Sequence, residues 1–284
     1  MLIKIWVYIV LFIIGASIGS FVNVLEMRLF KEADFVKTPS HCPKCKHKLG
    51  FWDLIPILSF FMLKGRCRYC ETKVSWQYPI IEFISGMLFM FSGVYIMGFM
   101  HIYSMKALLT YLIFSVFIGF NLEVFVFFAL YDVKHQIVSN KVILPLIIYA
   151  LFLCVFNAVA MHLYPNWVFW EIWGDFNLLW NIVSGALGGV FIALLIYITK
   201  GKGMGGGDLK LLVYMGLILG VKRLLVAFYA AIILGSILGI AYGMYKGKIK
   251  GLRLPFALFL SIGFIISFFW TNNIVELFTS FGSI

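Results

Sequence analysis

Long unbroken apolar runs constrain this chain more than anything else in it. They lie near 5–25, 79–100, 107–131, 141–161, 181–199, 209–221, 224–245 and 254–271. About 20 mainly apolar residues make one helical crossing of a bilayer. A membrane β-barrel would instead alternate apolar and polar residues at period two. The expected fold class is therefore an all-α polytopic membrane protein with about eight transmembrane helices. The stretch 209–221 is too short to cross, so it is expected to be half-buried or broken, facing protein or a wet cavity. With 63% hydrophobic and only 12% charged residues, the chain is not an ordinary soluble enzyme, a disordered chain or a disulfide miniprotein.

The formal net charge is +11, but its distribution argues against nucleic acid as a partner. If the N-terminus is outside, the inner loops 28–78, 132–141, 200–210 and 246–253 hold ten, two, three and four Lys or Arg. The outer side holds only Lys4, Lys106, Lys222 and Arg223. Basic loops stay in the cytoplasm, so this alternation orients the chain, implies an even number of spans, and suits a lipid bilayer with anionic head groups. The first span runs into Glu26 and Arg28 without a small-residue cleavage site, and reads as a retained helix rather than a removed signal peptide. The expected organisation is a first transmembrane helix at 1–27, a cytoplasmic loop domain at 28–78 and a membrane domain at 79–284.

That loop contains Cys42-Pro43-Lys44-Cys45 and Cys67-Arg68-Tyr69-Cys70, separated by 21 residues. Two Cys-x-x-C knuckles at this spacing read as a four-thiolate structural zinc (Zn2+) site. Structural disulfides are rare in the cytoplasm, and metal binding can supply the folding energy a short loop lacks. His41 and His47 are adjacent alternative ligands. Cys154, inside an apolar run, reads as an inert packing residue.

Two aspartates stand at the cytoplasmic edges of apolar runs. Asp132 ends the third run. Asp208 follows the glycines Gly205, Gly206 and Gly207 and precedes Lys210. Ionisable groups at membrane depth are expensive and point to function. Two carboxyl groups sharing one proton suit aspartic hydrolysis: one takes a proton from water while the other polarises a carbonyl. Glycines beside Asp208 let a substrate strand approach the backbone. The run also fits G-x-G-x-x-G at Gly201, Gly203 and Gly206, but no soluble βαβ unit surrounds it, which argues against a dinucleotide site.

At these residues the chain resembles the bacterial type IV prepilin peptidases, members of the GxGD intramembrane aspartic proteases. The resemblance rests on Gly19-Ser20-Phe21-Val22-Asn23-Val24 with Arg28, and on the double Cys-x-x-C loop with Trp52-Asp53-Leu54-Ile55-Pro56. It continues through Tyr78-Pro79-Ile80-Ile81-Glu82, Asp132 with Ile137 and Asn140, and Gly205-Gly206-Gly207-Asp208-Leu209-Lys210. It implies Asp132 and Asp208 as the catalytic pair, with Gly205, Gly206, Gly207 and Lys210 as a substrate loop. The implied substrates are type IV prepilins or pseudopilins, cut after a glycine at the cytoplasmic face of the bacterial inner membrane. The resemblance further implies, as for many members with the cysteine loop, methylation of the new N-terminus using S-adenosyl-L-methionine. By position, Asn23, Glu26, Arg28 and Glu82 are the candidate cofactor-binding residues, with interfacial anchoring and helix–helix hydrogen bonds as their alternative role. The chain departs from the family's habit at Ser139, at Asn140, at Glu26 and in Leu254-Pro255-Phe256-Ala257-Leu258. Two other classes use the same features differently: a proton- or cation-coupled transporter relaying through the two acids, and a non-catalytic pilus assembly platform.

Overall fold

The computed structural model describes residues 2–31, 39–100, 104–163, 177–201, 204–247 and 254–281. Lys37, Lys202, Gly203, Lys248, Lys250 and Arg253, used above in the charge and motif readings, lie outside these residues. The described elements are α1 (Leu2–Phe30), a 3₁₀ turn (Phe51–Asp53), α2 (Leu58–Met62), α3 (Gln77–Met97), α4 (Met105–His135), α5 (Asn140–Leu163), α6 (Leu178–Thr199), α7 (Gly206–Lys246) and α8 (Phe256–Phe281). Seven of these helices are long and apolar enough to cross a membrane. The chain is an integral membrane protein by the same criterion that the sequence suggested. It divides into two compact units, Met1–Phe127 and Phe128–Ile284.

In the first unit, small residues let helices approach closely, which is how helices associate where lipid is as apolar as the side chains. A Cβ on Gly15 or Gly19 of α1 would stand 2.5 Å from Ser85 of α3, and one on Gly86 would stand 2.7 Å from Phe12. Ser92 of α3 donates to the Ser115 carbonyl of α4 at 2.7 Å. The Cys42–Cys70 segment lies in the connection between α1 and α3.

In the second unit, the two runs read separately at 209–221 and 224–245 are the limbs of α7, which breaks at Gly220 (φ 72°, ψ 176°). The second limb returns alongside the first. A Cβ on Gly188 of α6 would meet both Leu212 and Leu224, at 3.4 and 3.3 Å, and Phe191 meets Phe228 at a centroid distance of 5.4 Å. Counted by limbs, the described residues hold eight membrane helices, in keeping with the sequence. The first limb (206–219) is about 21 Å long, too short for a crossing, and Leu211, Leu212, Tyr214, Met215, Leu217 and Ile218 are all buried. A short helix inside a membrane needs that enclosure.

The break frees backbone groups that must be satisfied. Asn181 Nδ2 donates to the Leu217 carbonyl at 2.9 Å, and the Cys154 thiol reaches the same oxygen at 3.4 Å. Cys154 is thus a buried packing residue with a weak capping role. The second limb pairs antiparallel with α8: Lys222 donates to Asn272, Ser267 donates to the Arg223 carbonyl, and Gly235 faces Phe259. This pairing carries the N-terminus of α8 to the same end of the unit as the start of α7.

Candidate active site

Asp132 lies in the last turn of α4 and is only 6% exposed. Its Oδ2 accepts the Ala257 N–H at 2.9 Å, and the Leu258 amide adds to the same carboxylate. These are first-turn amides of α8, which have no intrahelical acceptor, and a helix N-terminus favours an anion. The backbone of Ala257 and Leu258 is a site component that the sequence reading missed; the Pro255 just before the helix was its only local signal.

Asp208 is the third residue of α7. It accepts the Gly205 N–H on Oδ2 at 3.0 Å while its own N–H donates to the Gly205 carbonyl at 3.1 Å. This reciprocal cap fixes the carboxyl against its own helix start. Asp132 and Asp208, 76 positions apart in the chain, come close enough for the charge of one to bear on the other. Each commits one oxygen to a helix-terminal amide.

Two contacts bring the start of α7 to the α4–α5 corner. A Cβ on Gly207 would stand 2.8 Å from Val138 Cβ, so only glycine fits there. Lys210 Nζ donates to Asn140 Oδ1 at 2.6 Å. The three glycines therefore differ in role. Gly207 is a packing contact, whereas Gly205 and Gly206 are exposed and a Cβ on Gly206 would meet nothing within 4 Å. Their backbone borders open space beside Asp208.

In the first unit, the ligand atoms of Cys42, Cys45, Cys67 and Cys70 all lie within 4.8 Å of one another, an arrangement that can hold one metal ion. The two knuckles repeat the same hydrogen bonds. Cys42 N–H donates to the His47 carbonyl and Lys46 N–H to the Cys42 carbonyl; Cys67 and Thr72, then Glu71 and Cys67, do the same. Lys46 and Glu71, each following the second cysteine of its pair, take positive φ of 57° and 55°. Hydrogen bonds from the Thr72 hydroxyl and amide bring Cys70 down to about 6. Cys45 is pushed up to about 11, because desolvation and the neighbouring Cys70 and Cys42 sulfurs outweigh the His47 amide. Four thiols this close ionise together only around a cation, so the donor set fits a tetrahedral metal. His47 stacks on Tyr69, with ring centroids 3.6 Å apart, and His41 Nδ1 lies 3.2 Å from the Pro39 carbonyl. Neither belongs to the ligand cluster. Asp53 braces the second knuckle through Arg68 Nε at 2.7 Å and the Tyr69 hydroxyl at 3.2 Å.

The candidate cofactor residues gather where α1, α3 and the cysteine loop meet. Asn23 accepts from Gln77 Nε2 at 2.9 Å and donates to the Gly19 carbonyl at 3.2 Å. Glu82 Oε2 accepts the Ile57 N–H at 2.7 Å and a hydrogen bond from Ser20. Glu26 is buried, and Tyr78 lies within reach of the charges of Glu26 and Glu82. Arg28 is half-buried near the end of α1. Asn23 and Glu82 thus hold elements together. Two buried acids whose charges reach one tyrosine ring are a donor set that suits a cationic group such as a sulfonium.

Glu123 is a further acid that the sequence reading passed over. It sits inside α4 and is buried, with Oε1 accepting from Ser85 at 2.8 Å and Oε2 without a partner. A lone acid within an apolar run was the signal for it.

Residues 13–96 match the model of the bacterial peptidase A24 N-terminal domain, and residues 120–240 match that of the type IV leader peptidase family. A prepilin leader peptidase/N-methyltransferase of Bacillus subtilis (strain 168) is 28% identical, over 94% of this chain and 96% of its own length. Proteins of the same name from Stutzerimonas stutzeri and Neisseria gonorrhoeae are 26% and 27% identical, over 95% and 83% of this chain. They cover 92% and 82% of their own lengths. No solved structure matches. The two family models between them take in both the cysteine loop and both aspartates, and the similarity to the named relatives runs nearly end to end: the chain carries a bacterial peptidase A24 N-terminal domain followed by a type IV leader peptidase domain.

Proposed function

We propose that this protein is a membrane-embedded aspartic endopeptidase that removes the basic leader of type IV prepilins or pseudopilins and then methylates the new N-terminus. Asp132 and Asp208 are the catalytic pair. Water attacks the carbonyl carbon of the scissile peptide bond. The ionised carboxyl takes a proton from that water, and the protonated one donates to the carbonyl oxygen. Collapse of the tetrahedral intermediate returns a proton to the leaving nitrogen, releasing a free amine and a carboxylic acid. The pair titrates as a unit, so the shared proton belongs to neither aspartate alone.

The observation that carries this reading is the meeting of two carboxyl groups at two helix N-termini beside exposed glycine backbone. With Oδ2 of each held by main-chain amides, Oδ1 of each remains for water and substrate. Gly205 and Gly206 offer backbone to an extended substrate strand, and Lys210 ties that loop to Asn140. The active face lies on the cytoplasmic side of the bacterial inner membrane, where the basic loops lie.

Residues 28–78 form a zinc-organised insert held by Cys42, Cys45, Cys67 and Cys70, and the peptidase chemistry belongs to the membrane domain that follows. Glu26, Glu82 and Tyr78 would face the cation of S-adenosyl-L-methionine, with Asn23 and Arg28 shaping the pocket. When bound, that cofactor supplies an electrophilic methyl group.

Mass spectrometry of a co-expressed prepilin tests the whole reading, because leader loss and the added mass of one methyl are separate signals. The wild type is expected to give both. Asp132→Asn and Asp208→Asn are expected to insert normally and leave the leader in place, with a rate loss of about 10³-fold or more. Processing at the wild-type rate by either variant would overturn the mechanism. Ion flux in liposomes without any cleavage would favour the transporter instead.

A further inference from the structure

The cysteine loop presents an unusual surface for a segment read as cytoplasmic. Phe51, Trp52, Leu58, Phe61, Met62 and Trp76 are all exposed, Phe51 and Met62 by more than 70%. Leu58, Phe61 and Met62 fall at i, i+3 and i+4, so they share one face of α2. Trp76, at the entry to α3, packs against Phe60 and Phe61 with centroids 4.9 and 6.1 Å away. A soluble surface seldom leaves so many large apolar groups together.

Ile57 sets the depth of that face. It takes φ 65° and ψ −54°, with the Leu58 N–H donating to the Pro56 carbonyl at 2.6 Å. This is the strained form of the γ-turn, rare for a β-branched residue. Glu82 holds it by accepting the Ile57 N–H at 2.7 Å. Glu82 lies in the second turn of α3, at the start of an apolar span. The start of α2 is therefore level with the point where α3 enters the bilayer.

Charge follows directly after the apolar face. Lys64 and Arg66 come within four residues of Met62, and Lys44, Lys46, Lys48 and Lys73 are exposed on the two knuckles. Against them stand exposed Glu71 and the largely buried Asp53, which is already paired with Arg68. Exposed aromatic groups at the level of a membrane entry, followed by basic residues, match an interface with anionic head groups.

We propose that the α2 face and the Phe51–Trp52 turn dock into the head-group region of the same bilayer that α1 and α3 span, with the flanking lysines and arginines on anionic phospholipid. The strained turn at Ile57 and its Glu82 latch set the face in the membrane plane. The metal site and the docked face then hold one module from two sides.

The test uses the purified full chain, in its metal-loaded form, in phosphatidylcholine vesicles with and without phosphatidylglycerol. Lipids brominated near the head-group end of the acyl chain serve as quenchers. The emission lost on Trp52→Tyr is expected to be quenched by these lipids, shielded from aqueous iodide, and more strongly quenched when phosphatidylglycerol is present. Lys64→Gln with Arg66→Gln is expected to abolish the phosphatidylglycerol preference while the metal content stays unchanged. The proposal is overturned if iodide quenches the Trp52 emission and brominated lipid does not. It is equally overturned if both fail, because the face is then covered by a second copy of the chain. Identical quenching in both vesicle types would overturn the anionic head group as the ligand.

Discussion

The cysteine module and the aspartate pair sit in different compact units and are assembled in opposite ways. In the module, each pair of ligands lies three positions apart, and each knuckle closes its own hydrogen bonds within ten residues. The metal needs only two such local pieces to meet. The aspartates have no local piece in common. One is the end of α4, the other the start of α7, and the amides that hold the first belong to α8. The module is specified by spacing, and its thiolates are placed for an ion. The pair is specified by helix packing, and its geometry depends on the bundle.

The largest test of this contrast is the loss of either carboxyl. Asp132→Asn or Asp208→Asn should end leader removal without disturbing the metal content of the module, measured on the same preparation. Next comes metal removal. Cys42→Ser or a chelator should drop zinc per chain toward zero and unfold the loop, because structural zinc contributes on the order of 10 kcal/mol to such sites. Far-UV circular dichroism should keep its helical signal, since α4, α5, α6, α7 and α8 owe nothing to the ion. A cooperative collapse of the whole spectrum would break the comparison.

A smaller effect is expected at Gly207. Gly207→Ala puts a methyl group 2.8 Å from Val138 Cβ, an overpacking of about 1–3 kcal/mol that displaces Asp208. Turnover should fall while the metal content stays constant, and Val138→Ala should restore part of it. Gly206→Ala, with nothing within 4 Å of its new Cβ, should not show this rescue. Equal effects at both positions would show that the glycine run acts through flexibility rather than through one contact.

The module offers the reverse experiment. Lys46 and Glu71 hold left-handed backbone that costs a non-glycine residue roughly 1 kcal/mol. Lys46→Gly and Glu71→Gly should each raise the temperature at which the metal is released, by similar amounts because the knuckles repeat. The smallest expected effect is at Asp53. Its carboxyl lies below the usual range: desolvation opposes the charge, but the Gly50 amide, Arg68 and Tyr69 outweigh it. Its folded value is depressed, so its stabilising contribution is complete above the unfolded carboxylate value of about 4. It is lost as pH falls through the lower folded value. Arg68 is 47% exposed, so salt should weaken the effect, and Asp53→Asn should flatten the acid limb of a metal-release curve.

Much of this was legible beforehand. The apolar runs locate the helices because crossing a bilayer is a property of one segment at a time. Cys42, Cys45, Cys67 and Cys70 announce a metal site because a knuckle is a local object. Asp132 and Asp208 stand out because charge at a membrane edge needs a reason. Gly220 was harder to read. Two runs with two residues between them suggested two helices, but the reversal rests on a single positive φ and on Asn181, 36 positions before Leu217, satisfying the carbonyl that Leu217 exposes. Glu123 was overlooked because its run was judged by mean apolarity, which one acid barely changes.

Residue order by itself determined the membrane class, the loop's thiolate set, and the identity of the two acids, because burial period, ligand spacing and charge placement act over a few residues. Packing alone decided that Asp132 rests on the amides of α8, that Gly207 is tight while Gly206 is open, and that α7 folds back on itself. Those are distances between segments far apart in the chain, and such distances exist only once the helices have found one another.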